Sequence, residues 1–458
     1  MISIENLYEI FLQHPLISTD TRKISENSLF FALKGDKFDA NTFAKQAIEA
    51  GAAYAIIDNP AYQLSEKYIL VDDVLTALQN LARYHRQQLT IPVIGLTGTN
   101  GKTTTKELIY SVLSQRFKTL ATPGNLNNHI GVPLTILSIN HTHEMAVIEM
   151  GANHQKEIEF LCGICQPTHG LITNVGKAHL EGFGGVEGVK KGKGELYDYL
   201  KKSESPEVGK SGRGNSVGVA FVNGDSTDLM KMQTDRGIKN AVFYGTDNAA
   251  NLVNGELTEN SPLLSINWVN STSGESHPIK TQLTGAYNLD NILAAICIGV
   301  YFGLTDDEIN KGIESYQPKN NRSQIVKTAK NTLICDYYNA NPSSMFVAIE
   351  NMDKIDASHK SLILGDMFEM GSEAAAEHLA VIKKAMDARV NERIFIGQEF
   401  YNASLTMHDS GVSPAKKPLF FVTVEEAANT LKSNPIENST ILIKGSRGMA
   451  LERLVDLF

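Results

Sequence analysis

The sequence predicts an α/β protein of three domains: a small N-terminal α/β domain (1–88), a central P-loop mononucleotide-binding α/β domain (89–316) and a C-terminal Rossmann-like doubly wound domain (317–458). Three observations predict it. The chain has 458 residues, enough for about three domains at roughly 150 residues each. The apolar run Ile91–Thr97 leads directly into a glycine-rich turn and a helical segment, the β–loop–α opening of a nucleotide-binding fold. Beyond Arg322, short apolar runs alternate regularly with amphipathic segments of helix length, the rhythm of a doubly wound sheet.

The first segment contains strands at Ser28–Leu33, Ala53–Ile57 and Tyr68–Val71, and helices at Asn41–Ala50 and Val74–Gln88. In the second helix Leu75, Leu78, Leu81 and Ala82 recur at helical spacing and mark one buried face. Pro92 sits near the start of the next strand, where a missing N–H matters least. The helix Lys102–Arg116 follows, then strands at Met145–Met150, Gly170–Asn174, Gly218–Val222 and Ala241–Tyr244, and an apolar helix at Asn288–Tyr301. Pro318, Lys319, Asn320 and Asn321 interrupt the pattern and mark a boundary. The last segment reads as strand Thr332–Asp336, helix Ser343–Met352, strand Ser361–Leu364, helix Ala374–Asp387, strands Arg393–Ile396 and Leu419–Val422, helix Val424–Leu431 and strand Thr440–Ile443. No GxGxxG follows its first strand, so no second dinucleotide site is predicted. Lys201–Val217, rich in Ser, Gly, Lys and Glu, is too poor in apolar residues to offset its ordering entropy and reads as a mobile surface loop.

Composition excludes several classes. There are 42 basic and 51 acidic residues, a net charge of −9, which disfavours a nucleic-acid partner because phosphate contacts dominate such affinity. The longest near-apolar stretch, Leu293–Leu304, is shorter than the roughly 18 residues of a membrane span. The N-terminus lacks the basic start of a signal peptide, and four cysteines do not make a disulfide framework, so the expected location is the cytoplasm. Cys162 and Cys165 have zinc-ligand spacing without a second pair, and read as small buried residues.

The strongest chemical signal is Gly95-Leu96-Thr97-Gly98-Thr99-Asn100-Gly101-Lys102-Thr103-Thr104-Thr105. Backbone N–H groups around Gly98–Thr103 at a helix N-terminus form an anion nest. Lys102 can reach the outer phosphates and the Thr103 hydroxyl can ligate Mg²⁺. Leu96 stands where the general Walker A pattern has its first glycine, so the motif is a variant. Glu149 and His179 both fall at carboxyl ends of predicted parallel strands, where such sheets place their ligand crevice.

The full string TGTNGKTTT resembles the Mur ligases and the folylpolyglutamate synthetases, ATP-dependent enzymes that form amide bonds. Further strings extend the resemblance to Mur ligases along nearly the whole chain: Gly124–Pro133 (GNLNNHIGVP), Gly151–His154, Asp336–Pro342 (DYYNANP), Leu364–Met367, Lys444–Arg447, and, near the N-terminus, Thr19–Lys23 and Leu29–Gly35. They are most similar to the member that joins D-Ala-D-Ala to UDP-N-acetylmuramoyl-tripeptide. The resemblance implies ATP and Mg²⁺, in two ions, as cofactors, with Thr103, Glu149, His179 and Lys193 as metal ligands, Lys193 as its carbamate. It implies a nucleotide site of Gly98, Thr99, Asn100, Gly101, Lys102, Thr103, Thr104, Asn288, Asn291, Arg322 and Asp336, with Lys102, Glu149, His179 and Lys193 carrying the chemistry. Thr21, Arg22, Gly35, Thr122, Asn125, Asn128, Asn153, His154, Asn339 and Asn341 would meet the two other substrates. Tyr287 stands where many members carry His. The expected molecule is a monomer whose last domain closes on ATP, because Arg322 and Asp336 lie beyond the second boundary. Two alternatives stay open: the family ligase that adds the third amino acid, and a non-catalytic nucleotide-binding scaffold.

Overall fold

The computed structural model describes residues 2–203, 218–260, 262–319, 321–406 and 417–458. Each of its three main sheets is built on parallel strands. The first has four strands in the order Ile17–Ser18, Leu29–Phe31, Tyr54–Ile57, Tyr68–Leu70, all parallel. Helix Val74–Gln88 matches its expected limits because Asp73 caps it, its carboxylate accepting from Thr76 N at 2.7 Å. The helix buries Leu78, Leu81 and Ala82 against the central domain. Arg86, 1% exposed, fastens that seam by donating to the carbonyls of Cys165 (2.9 Å), Leu89 (2.9 Å) and Gln166 (3.1 Å). Arg86→Met is expected to cost roughly 3 kcal/mol in chemical denaturation, since it strands buried carbonyls. A loss within experimental error would show that the seam does not depend on Arg86, and that its other contacts, such as Arg83 to the Gly163 carbonyl and His85 to the Ile139 carbonyl, suffice.

The central sheet has nine strands, in the order Ser276–Lys280, Leu264–Asn270, Val253–Asn260, Ala241–Gly245, Val219–Asn223, His169–Ile172, Val93–Thr97, Met145–Glu149, Thr119–Ala121. From Thr119–Ala121 as far as Val253–Asn260 every pairing is parallel; the last two are antiparallel. Val93–Thr97, Met145–Glu149 and Val219–Asn223 are buried at every position, as strands covered on both faces must be. Helices Lys102–Leu113 and Asn288–Tyr301 share one core, and helices Glu157–Cys165 and Val186–Ser203 share the core on the other face. Cys162 and Cys165 are buried in helix Glu157–Cys165, with their thiols 3.8 and 3.6 Å from the Met150 sulfur. Burial pushes the Cys165 thiol up to about 12. Lys201–Ser203 complete helix Val186–Ser203; the rest of the stretch expected to be a loop, 204–217, lies outside the described residues.

The third sheet runs Gln324–Lys327, Thr332–Asp336, Thr440–Lys444, Lys360–Gly365, Glu392–Ile396, Leu419–Phe421, parallel apart from its first, antiparallel edge strand. Apolar cores cover both faces, as a doubly wound sheet requires. The neighbouring strands Thr332–Asp336 and Thr440–Lys444 end in Asp336 and Lys444, which places both at the crevice where such sheets bind ligands.

Candidate active site

The loop after Val93–Thr97 is locked from below. Asn100 N donates to Asn174 Oδ1 at 2.9 Å, and Thr173 Oγ1 donates to the Asn100 carbonyl at 2.6 Å. Gly98 and Gly101 have φ of +148° and +78°, and a Cβ at either would run into Thr173 or Asn291. Helix Lys102–Leu113 starts with no side-chain cap, so its first N–H groups are available to an anion. Lys102 Nζ donates to the carbonyls of Gly98 (2.8 Å) and Thr99 (3.0 Å) of its own loop. Desolvation brings its ammonium down to about 8, with Arg322 adding and Glu149 opposing.

Glu149, 1% exposed, accepts from Thr103 Oγ1 (3.0 and 3.2 Å) and Asn127 Nδ2 (2.8 Å). Its backbone N–H donates to Thr122 Oγ1 at 2.9 Å. His179 is held at φ +50° at the start of the short helix Leu180–Phe183. Its Nδ1 is buried without a well-formed hydrogen bond, although the Glu369 carboxylate lies against it. Lys193 projects from helix Val186–Ser203, 2% exposed, donating to the Ala152 carbonyl at 3.1 Å with its Nζ 5.1 Å from the Phe183 ring centre. Burial, reinforced by Lys102, holds its amine well below the ordinary lysine range.

The C-terminal sheet completes the enclosure. Arg322 stacks 3.8 Å above the Tyr338 ring, with Arg447 5.2 Å from the same ring. Asp336 accepts from Lys444 Nζ at 2.6 Å and from Ser323 N at 3.3 Å. Several contacts tie this domain to the P-loop side, among them Asn341 Nδ2 donating to Asn100 Oδ1 (2.8 Å), Tyr287 OH meeting Ser323 Oγ (2.6 Å), and Lys177 Nζ pairing with Glu377 (2.7 Å). Behind the loop, Asn291 Oδ1 accepts from Thr105 Oγ1 (2.9 Å) while its Nδ2 donates to Asn288 Oδ1 (2.8 Å).

Between the two domains lies a cavity of about 1030 Å³. Thr99, Asn100, Gly101, Lys102, Thr103, Thr104, Asn125, Asn128, Glu149, Asn153, His179, Asn288, Asn291, Arg322, Asp336, Asn339 and Asn341 line it. Gly98, Thr122 and Lys193 stand behind that lining, holding the loop, the Glu149 backbone and the Ala152 carbonyl. His154 is exposed and faces Glu157 at 3.4 Å. Thr21, Arg22 and Gly35 belong to the N-terminal domain and do not line the cavity; Thr21 opens a short turn in which Arg22 pairs with Asp20 at 2.8 Å, and Gly35 sits in a two-stranded hairpin. Sequence reasoning missed Lys106, Asn127, Asn174 and Lys444. Lys106, one helical turn beyond Lys102, had the spacing to be found.

The chain matches the Mur ligase middle domain over residues 96–299, the Mur ligase glutamate ligase domain over 321–447 and the Mur ligase family catalytic domain over 15–86. It belongs to the Mur ligase family, whose members are ATP-dependent, ADP-forming ligases. Among its relatives, the UDP-N-acetylmuramoyl-tripeptide–D-alanyl-D-alanine ligases of Bacillus subtilis (strain 168) and Escherichia coli (strain K12) are 33% and 34% identical, each over 96% of this chain and 92% of its own length. A crystal structure of MurF from Acinetobacter baumannii superposes with a TM-score of 0.82 at 31% identity, covering 96% of this chain and 92% of that one. MurF from Thermotoga maritima in complex with ADP gives 0.80 at 25% identity, covering 100% and 98%.

Proposed function

We propose that this chain ligates D-Ala-D-Ala to UDP-N-acetylmuramoyl-tripeptide at the expense of ATP, completing the peptide of a peptidoglycan precursor, as a cytoplasmic monomer. The observation that carries the reading is the single cavity in which the P-loop faces the Asp336–Asn341 segment of another domain. Nucleotide and incoming amine can thus reach one carboxylate from opposite walls.

The physical obstacle is repulsion between that carboxylate and the γ-phosphate. Two unit charges ~4 Å apart repel by about 4 kcal/mol at an effective dielectric of 20. The P-loop N–H groups and Lys102 offset that charge from fixed positions, so little reorganisation accompanies transfer. A carboxylate oxygen attacks the γ-phosphorus, the bond to the β-phosphate oxygen breaks, and ADP leaves. The amine nitrogen of D-Ala-D-Ala then attacks the acyl carbon. Loss of inorganic phosphate and one amine proton leaves the amide. Arg322 and Asp336 serve the phosphate and ribose of the nucleotide, Asn288 and Asn291 its base end, and Asn339 and Asn341 the dipeptide. Asn125, Asn128 and Asn153, on the opposite wall, hold the peptide end, with Thr122 and His154 beside them. Thr21, Arg22 and Gly35 hold the UDP end on the N-terminal domain.

The residues fit magnesium. Thr103 and the buried Glu149 present hard oxygen donors side by side, and the Glu369 carboxylate lies against a ring nitrogen of His179. Thr103 and Glu149 would hold one ion, His179 and carbamylated Lys193 a second. Bound there, magnesium supplies positive charge to the phosphate oxygens.

A coupled ADP-release assay tests the reading. Release should require UDP-N-acetylmuramoyl-tripeptide and D-Ala-D-Ala together, with single amino acids inactive. Equal stimulation by a single amino acid and a UDP-linked dipeptide would instead favour the ligase that adds the third residue. Nucleotide binding without substrate-stimulated release would leave only a scaffold.

A further inference from the structure

We propose that Lys106 is a positioning residue that locks the Glu149 carboxylate and the loop of residues 122–128 to the P-loop helix; the inference rests on the reading of Glu149 as a magnesium ligand. Lys106 follows Lys102 by one turn of helix Lys102–Leu113, yet it is 2% exposed and absent from the cavity lining. Its Nζ donates to the carbonyls of Thr122 (2.8 Å) and Gly124 (3.3 Å). The same nitrogen stands 3.9 Å from Glu149 Oε2 and 3.8 Å from Glu107 Oε1.

A lysine so placed needs a reason, because an apolar side chain would cover the same helix face without desolvating a charge. The geometry supplies one. Glu149 meets Thr103 and Asn127 on one side and the Lys106 ammonium behind them. The loop whose carbonyls Lys106 holds is the one that presents Asn125, Asn127 and Asn128 to the cavity. One cation therefore fixes both the direction of the carboxylate and the wall beside it. Glu107 is itself oriented by Tyr316, whose hydroxyl donates to Glu107 Oε2 at 2.8 Å, so this side of the network is anchored too. Without the ammonium, Glu149 loses its fixed countercharge on the interior side and can turn toward Lys102.

The test is calorimetric titration of the full chain with a non-hydrolysable ATP analogue, in magnesium and in EDTA, with melting followed by circular dichroism. Lys106→Gln keeps N–H donors but removes the charge. It should weaken binding about tenfold or more in magnesium and less than about twofold in EDTA, and the magnesium penalty should vanish in a Glu149→Gln background, the mark of two residues acting as a unit. Lys106→Arg, which keeps the charge, should bind within about threefold of wild type in magnesium and carries the test if the Gln variant does not fold. Equal losses with and without magnesium, wild-type binding by Lys106→Gln, or a Lys106→Arg loss of tenfold or more in magnesium would each overturn the inference. A wild-type chain indifferent to magnesium would overturn the metal reading of Glu149 itself.

Discussion

Lys102→Ala should abolish substrate-stimulated ADP release, by about a thousandfold or more, while leaving the melting temperature nearly unchanged. The ammonium donates to two carbonyls of its own loop, so it is already held where the loop closes on an anion. Alanine leaves those carbonyls at the edge of a solvent-accessible cavity, where water can replace the lost donors. Folding therefore loses little. The reaction loses a fixed cation at the phosphate loop, where a carboxylate must approach a phosphate, and a side chain farther away restores little of that field. Progress curves with both acceptor substrates saturating, set beside thermal melts, check the result. Wild-type-like turnover would refute the role.

Lys193→Ala is expected to lower turnover by about 10²–10³-fold with the binding of a nucleotide analogue largely preserved. Lys193 Nζ meets a carbonyl and a phenyl ring, and its amine is held well below the usual lysine range. Such an amine spends more time neutral, and only a neutral amine can attack CO₂ to form a carbamate. As a carbamate the side chain would be an oxygen donor in place of a cation. Wild-type protein equilibrated with ¹³C-bicarbonate should show a carbamate carbon resonance that the variant lacks, and short carboxylic acids should partly restore turnover to Lys193→Ala. Turnover of the variant within about twofold of wild type would remove Lys193 from the chemistry.

Much of this architecture was legible in the sequence, for identifiable reasons. Helices Val74–Gln88, Asn288–Tyr301 and Ala374–Asp387 match their expected limits residue for residue. The first starts at a capping Asp and the second is a nearly unbroken apolar run, both local signals. Helix Ile4–Gln13 went unassigned despite its Ser3 cap. The strands Val253–Asn260, Leu264–Asn270 and Ser276–Lys280 were missed because they carry many polar residues on an exposed face and their pairing is set by neighbours. Helix Asn41–Ala50 proved to be a 3₁₀ turn, Ala40–Phe43, running into a shorter helix, Ala44–Glu49. Asp39 accounts for that turn, its carboxylate accepting from both Asn41 nitrogens at 2.9 and 2.7 Å.

The site divides the same way. The P-loop was readable because its nest is built from consecutive residues, each glycine having a local steric reason. Asn127 and Lys444 were not, since each matters through a partner distant in the chain, and no local pattern announces such a pairing.

The seam between the central and C-terminal domains constrains how they can move. Tyr316 is tied to Glu107 on the P-loop helix, and Ser323 is tied to Tyr287, so the connecting chain is pinned at both ends of a short span. A relative motion of the two domains would then be a swing about a pivot beside the phosphate loop, with displacement growing with distance from that pivot. Any parting of the two domains would have to break the Glu369–His179 and Glu377–Lys177 contacts, and with them the Asn341–Asn100 hydrogen bond across the mouth of the cavity.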